Sequence, residues 1–537
     1  MLYHTYMFDL VVRNGKVIDG TSNPWYRANI AVVDGKIASI GMLDADAEQV
    51  IDAEGLVVAP GFIDSHSHSD LMLVAEPEAR QKIMQGITTE VVGQDGLGEA
   101  PLRDDIVDDW RRYLSGLNGD PDIEWDWRSF AEYLDKLEAS GPATNVASLV
   151  GHGNLRLLAM GMEDRTPTTL ELEKMKNLLA EAMKQGAFGL STGLIYPPCV
   201  YADTYELMEL CKVASAHGGL FVVHMRNESD RLLESIEEVI TIGKEAGIHV
   251  HISHFKASRE RNWGKVVDAL GMLEKARMGG VVVTVDQYPY TAGSTFLSSL
   301  LPVWAHEGGT ERMLERLRDQ EARTRMVADM MEDERGRGWG WGNILVTSVS
   351  TQGNKRFEGR TLQEIAESRK QSPLDAVFDL ILEEENAVSM ASFSMSEEDV
   401  RTVMQSPLQM FCTDGIVLGK PHPRAYGSFP RVLGRYVGEG VVSLEEAVRK
   451  MTSLPAQTFG LHDRGLLRPG MCADITIFDP DTVIDKATYR DPIQFPEGIE
   501  YVIVNGVVTV DRGEHTGACG GRILRPHAAS LTTVSIE

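Results

Sequence analysis

Apolar runs broken by turn signals fill the first sixty residues. Phe8 to Arg13 meets Asn14-Gly15 and resumes as Lys16 to Asp19, while Ala31 to Val33 meets Asp34-Gly35 and resumes as Lys36 to Ile40. Asn-Gly and Asp-Gly between apolar runs predict hairpins, because both central positions must accept positive φ. The pattern returns near the other end, where Ala473 to Phe478 reads as a strand and Tyr501 to Val504 turns at Asn505-Gly506 into Val507 to Val510. Two β-rich ends predict a small β-sandwich built from both termini, from residues 1–60 and 456–537. Between them, over 61–455, short apolar strands alternate with amphipathic helices. The strands are expected at Thr88 to Val92, Ala143 to Val150, Ala187 to Thr192, Leu220 to His224, Ile248 to His254, Gly280 to Tyr288, Ile344 to Val349 and Gln409 to Asp414. Helical patterns such as Glu171 to Gln185 and Leu232 to Ala246 separate them. That rhythm predicts an α/β fold, a (β/α)8 TIM-like barrel with its chemistry at the strand C-termini. A doubly wound open sheet would want an early Gly-rich phosphate loop, and none is present.

Polar residues that end strands are then the candidates for chemistry. Gly55 to Pro60 reads as a buried strand leading into Gly61 to Asp70 (GFIDSHSHSD). Strand side chains alternate faces, so His66 and His68 point the same way and can chelate one divalent ion. His224 ends a later strand, His254 the next, and Asp414 a late one followed by Gly415; Gln94 and Asp95 follow the second strand. Imidazoles with carboxylates suit Zn2+ and similar ions with one position open for water. Parity puts His249 and His251 on the face opposite His254, against the helices. His152 ends a strand as a supporting group or a structural turn, and His422 follows Asp414 in a loop that can reach the pocket. The Gly- and Trp-rich loop Glu334 to Gly342 is expected to border that pocket, and the tail from about Arg522 to wrap the surface or lie partly loose.

Charge and cysteine usage narrow the partners. A formal charge of −27 argues against nucleic acid or an anionic membrane. Five scattered cysteines without a C-x-x-C pair fit a reducing cytoplasm better than a disulfide framework. Neither a signal-peptide pattern nor an apolar run of about 18 residues is found, so secretion and membrane spanning are not expected.

Over essentially its whole length the chain resembles the N-acyl-D-amino-acid deacylases (D-aminoacylases) of the amidohydrolase superfamily. The matching pieces are the His66/His68 motif, Ser191 to Pro198, His224 to Glu228, Ser253 to Lys256, Asp286 to Tyr290, Thr413 to Gly415 and His422 to Gly427. The resemblance implies a hydrolase with one or two divalent ions, zinc foremost. His224 and His254 would hold the tight ion, His66, His68 and Asp414 would line the weaker position, and Asp414 would act as general base and acid. It also implies a small-molecule substrate, an N-acyl-D-amino acid cleaved to a D-amino acid and a carboxylic acid. One departure stands out: where known members have a cysteine within Gly-Asn-Cys-Gly, this chain reads Gly93-Gln94-Asp95-Gly96, and Asp95 is the replacement ligand. No lysine ends the fourth strand to form a carboxylated bridge; Ser191 and Thr192 stand there.

Such a substrate carries a carboxylate, so the pocket should hold a fixed cation. Lys256, two residues past His254, is the candidate, and Tyr288 and Ser294 resemble the family's carboxylate-contacting hydroxyls. Tyr196, Arg226, His422 and Arg424 lie within the matching motifs and are expected at the substrate. Other readings are a cyclic amidase of the hydantoinase kind or a dipeptidase, which substrate assays separate. A non-enzymatic scaffold predicts lost ligands, yet His66, His68, His224, His254 and Asp414 are all present. Oligomeric state is not legible at this level.

Overall fold

Strands from the two ends of the chain pair with one another. A computed structural model describes residues 7–43, 46–332 and 340–526. Phe8–Val17 pairs antiparallel with Tyr26–Val33 and parallel with Val57–Pro60, which in turn pairs with Ile475–Phe478 from the far end. Ile499–Val504 and Val507–Asp511 extend this into a nine-stranded sheet. Leu10, Val12, Ile30, Ile475 and Ile503 share one apolar cluster across it, which ties the termini together by burial as well as by hydrogen bonds. Asp34-Gly35 and Asn505-Gly506 are hairpin turns at positive φ. Asn14-Gly15 is not: Phe8–Val17 is one strand whose register shifts between Val12 and Gly15. A Cβ at Gly15 would lie 2.4 Å from Val58 Cγ2, so the glycine serves a bulge in close contact with a neighbouring strand.

The middle of the chain is mixed α/β with parallel strands. Phe62–Asp64, Ile87–Val92 and Asn145–Ser148 form one parallel sheet. Val150–Gly151, Gly189–Gly193, Leu220–His224, Val250–Ile252, Val283–Gln287 and Gln409–Phe411 form another, in that order. At one junction Leu149 N–H donates to Val92 O at 2.9 Å. At the other, Ser67 bridges to Gly415, and Asp414 N–H donates to His66 O at 2.9 Å. These strands are buried throughout, as parallel strands covered by helices are. The covering helices include Thr169–Gln185, Thr204–Ala216 and Leu232–Ala246; the first opens with the capping box Thr168/Glu171.

Two expected strands fall elsewhere. Val57–Pro60 belongs to the nine-stranded sheet, and the short strand Phe62–Asp64 leads to His66 instead. Ile344–Val349 is antiparallel to Val388–Phe393, which also pairs with Ala292–Phe296. Its alternation of buried Ile344 and Val346 with half-buried Leu345 suits a sheet with one solvated face. Residues 334–339 of the expected Gly/Trp loop lie outside the described residues. The tail runs beside the strand Asn145–Ser148, with Ile523 bridging to Val146. Among the described residues no helix is long and apolar enough to cross a membrane.

Candidate active site

Four histidines and two aspartates converge where the parallel strands end, beside a cavity of about 940 Å³. His66 Nε2 faces His68 Nε2 at 3.3 Å. Asp95 sits among the imidazoles, its Oδ2 3.6 Å from His68 Nε2 and 4.0 Å from His224 Nδ1, its Oδ1 3.7 Å from His254 Nε2. Asp414 Oδ1 lies 3.3 Å from His68 Nε2 and 3.7 Å from His66 Nε2. Three of the six take left-handed backbone conformations unusual for their type: Asp95 at φ 57°, His254 at 35° and Asp414 at 48°. Each costs of order 1–3 kcal/mol, which the surrounding structure must offset to aim the side chain inward.

The donor set fits a divalent ion. His66/His68/Asp95, Asp95/His224/His254 and His66/His254/Asp414 each bring ligand atoms within 4.8 Å of one another. His66 Nδ1, Asp95 Oδ1 and both ring nitrogens of His224 are buried without a hydrogen-bond partner, a costly state that coordination relieves. Burial pushes His66 and His224 down to about 4, leaving neutral imidazoles with free lone pairs. Burial and Lys256 also push His254 down, but Glu228 and Asp95 hold it up to about 10. Burial alone would raise the Asp95 carboxyl; His66, His254 and His224 keep it well below the usual carboxylate range. Every donor is nitrogen or oxygen, the set that suits Zn2+ and its first-row neighbours.

Behind this cluster lie groups that sequence reasoning did not assign. Asp286 Oδ1 accepts His254 N–H at 2.5 Å, and its Oδ2 meets His251 Nε2 at 2.8 Å and Ser65 Oγ at 3.2 Å. Parity places His249 and His251 against the helices; instead both meet Thr284 Oγ1 at 2.9 Å, beneath the cluster. The strand stops at Ile252 and His254 turns at positive φ, so counting by twos fails across that break. Lys82, fully buried, donates to Asp64 Oδ2 at 2.6 Å and to Ser67 Oγ and Thr413 Oγ1 at 2.8 Å, with Glu90 Oε2 at 3.3 Å. Glu228 stands in the cavity wall 2.6 Å from Lys256 Nζ. Asp286 had a detectable signal as a carboxylate ending a strand, and Glu228 as the residue four after His224. Lys82 had none.

The residues expected at the substrate divide into two groups. Lys256, Tyr288, Ser294, Tyr196 and Arg226 line the cavity. Tyr196 packs its ring 5.1 Å from that of His224 and its hydroxyl meets Thr295 Oγ1 at 3.0 Å; Ser294 Oγ donates to Met390 O at 2.8 Å. Tyr288 donates to Met395 Sδ at 3.9 Å. Arg226 is occupied by Glu238 and the carbonyls of Val200 and Ala202, so its guanidinium braces the wall. His422 and Arg424 do not line the cavity. The loop turns His422 to Tyr489, whose hydroxyl lies 3.0 Å from Nε2. Arg424 lies under Tyr288, 4.4 Å from its ring centroid, with Nη1 2.7 Å from Asp414 Oδ2. Burial would raise the Asp414 carboxyl; Arg424, His66 and His68 hold it well below the ordinary range, so it is ionised at neutral pH. His152 is bonded to Thr192 and Glu206 behind the Asp95-Gly96 turn, whose Gly96 O accepts Gly153 N–H at 2.9 Å, and Gln94 spends its amide on the carbonyls of Ser65 and Val91.

Comparison with known proteins places the chain among enzymes of one family. The chain is 37% identical over 532 residues to the D-aminoacylase of Alcaligenes xylosoxydans xylosoxydans, covering 97% of this chain and 98% of that one. It is 38% identical over 524 residues to the N-acyl-D-glutamate deacylase of the same organism, covering 97% of each. Among solved structures, an N-acyl-D-glutamate deacylase from Bordetella bronchiseptica, complexed with zinc and a phosphonate inhibitor, superposes with a TM-score of 0.84. That pair is 36% identical over 97% of this chain and 100% of the other. The model of the amidohydrolase family matches residues 49–510. The chain belongs to the amidohydrolase family.

Proposed function

We propose that the protein is a zinc-dependent hydrolase of N-acyl-D-amino acids, releasing a D-amino acid and a carboxylic acid. The observation that carries this is a nitrogen-and-oxygen donor cluster facing one cavity whose wall holds Lys256 beside His254. His224, His254 and Asp95 would hold one ion, and His66, His68 and Asp414 would line a second position with Asp95 between them. A bound ion supplies a Lewis acid that polarises the scissile carbonyl and acidifies water. Asp414 contributes the base: its Oδ1 faces His68, while Arg424 grips Oδ2 and keeps the carboxylate ionised and oriented. It takes a proton from the attacking water and returns it to the leaving nitrogen. Lys256, with Tyr288 and Ser294, would receive the substrate carboxylate, and Tyr196 would close the opposite wall.

The scaffold we read as a (β/α)8 barrel over 61–455, supported by parallel strands in chain order and the junction between Ser67 and Gly415. The described parts of 1–60 and 456–537 we assign to the flanking β-sandwich and its tail. Free cysteines, four of them buried, favour a cytoplasmic setting.

Handedness is the test. With the carbonyl on the ion and the carboxylate on Lys256, two substituent directions at the α-carbon are set, and the side chain fits the cavity for one enantiomer. The names of the relatives make that enantiomer D. We expect kcat/KM for N-acetyl-D-methionine to exceed that for the L form by ~10²-fold or more. Equal rates, or preference for L, would refute the assignment.

A further inference from the structure

Glu228 touches both halves of the site. It follows the strand Leu220–His224 by four residues and lines the cavity. Its Oε1 accepts from Lys256 Nζ at 2.6 Å and lies 3.1 Å from His254 Nδ1, while Oε2 lies 3.6 Å from His224 Nε2. The loops are tied by backbone as well, since Ser258 N–H donates to Glu228 O at 2.7 Å. With His254 Nδ1 turned to Glu228 and to Lys256 Nζ, 2.8 Å away, its Nε2 is left facing Asp95 at 3.7 Å. His224 Nε2 faces Glu228 beyond hydrogen-bond range, and its Nδ1 faces Asp95 at 4.0 Å. A carboxylate on the far nitrogen fixes which nitrogen of an imidazole meets a metal and how the ring is held. Here one carboxylate does so for His254, faces His224 at longer range, and also sets where the Lys256 ammonium stands.

We propose that Glu228 is a positioning residue that couples metal retention to recognition of the substrate carboxylate. This rests on reading His224 and His254 as metal ligands and Lys256 as the carboxylate site. A brace for the metal alone would leave substrate binding untouched once the ion is saturating, and a partner for Lys256 alone would leave the ion untouched. Glu228 moves both, because the same oxygen reaches His254 and Lys256.

The experiment measures two quantities that do not depend on each other. Zinc retention is read by chelator competition without substrate. Carboxylate recognition is read at saturating zinc as the KM ratio between N-acetyl-D-methioninamide and N-acetyl-D-methionine. For Glu228→Gln we expect zinc affinity to fall about 10- to 100-fold and the KM ratio to fall about 10-fold. Glu228→Asp, which keeps the charge on a shorter stem, should recover part of both; it also serves if the glutamine variant fails to fold. Lys256→Met is expected to lower the KM ratio and, since Nζ also touches His254 Nδ1 at 2.8 Å, to lower zinc affinity by less than Glu228→Gln does. Normal zinc retention or a normal KM ratio in folded Glu228→Gln overturns the coupling. An unchanged ratio in Lys256→Met overturns it through its premise, and loss of all activity on both substrates in the unmutated zinc enzyme would instead remove the proposed reaction.

Discussion

On one flank of the site, His66, His68 and Asp414 stand where the first and last parallel strands meet; on the other, His224 ends one mid-sheet strand and His254 lies two residues past the end of its neighbour. The flanks are held by different means. In mid-sheet the backbone does the work, with Phe221–Val223 in register with Val250–Ile252, and the side-chain support, Glu228 and Lys256, comes from loops that face the cavity. At the junction of first and last strands the pairing is the Ser67–Gly415 bridge and Asp414 N–H to His66 O. A buried charge network supplements it: Lys82 joins Asp64 and Glu90 on the first two strands to Thr413 on the last, while Asp64 Oδ1 accepts Thr413 N–H at 2.8 Å. Burial pushes the Lys82 ammonium down, yet Asp64 and Glu90 keep it raised, so it stays charged. Where ladder pairing is thin, charge takes over the spacing of ligands; where pairing is strong, the support is free to face the substrate.

The largest test of that contrast is Asp414→Asn, which keeps shape and removes the proton acceptor. Turnover should fall about 10²- to 10⁴-fold while the circular dichroism spectrum is unchanged. Near-normal turnover would move the base elsewhere, and Glu228, in the cavity wall, would be the first residue to examine. Next is Lys82→Met, which leaves Asp64 and Glu90 buried without their cation. Breaking a buried pair in this way costs about 3–5 kcal/mol, read as a lower urea midpoint together with loss of ions from the His66/His68 flank. A variant as stable as the parent would mean that the bridge and backbone bond hold the flank unaided.

The clustered histidines and aspartates of both flanks were legible because strand ends are: a histidine or aspartate closing an apolar run, followed by glycine or a turn, is visible along the chain. What supports them was hidden by tertiary distance. Lys82 is 331 residues from Thr413 in sequence, and its helix, Arg80–Ile83, is too short to show any periodicity. Counting by twos misplaced His251 because the chain leaves the strand before His254 and turns at positive φ. Asn14-Gly15 read as a hairpin because a bulge and a turn ask for the same residue types. Ile344–Val349 read as one more parallel strand, since a short apolar run carries no sign of which sheet it will join.

The smallest expected effect sharpens the comparison with another buried imidazole, His152, which lies on neither flank. Its Nε2 meets Glu206 Oε1 at 2.8 Å and its Nδ1 meets Thr192 Oγ1 at 2.9 Å. Burial pushes it down, but Cys199 and Glu206 hold it up to about 9, opposite to the fall to about 4 at His66 and His224. Burial and neighbouring charge thus drive buried imidazoles of one protein in opposite directions, up at His152 and His254 and down at His66 and His224. Because the folded value lies above the ordinary 6.5, the charged pair's stabilisation is complete below pH 6.5 and is lost as pH rises through about 9. The loss is about 3 kcal/mol at most. Zinc-saturated protein should therefore melt at lower temperature at pH 9.5 than at pH 6.5, and His152→Gln should flatten that difference by lowering stability chiefly at the acid end. If the glutamine variant keeps the full pH slope, His152 is neutral in the fold, and its bond to Glu206 is an ordinary hydrogen bond, with the buried Arg156, paired to the other Glu206 oxygen, alone balancing the carboxylate.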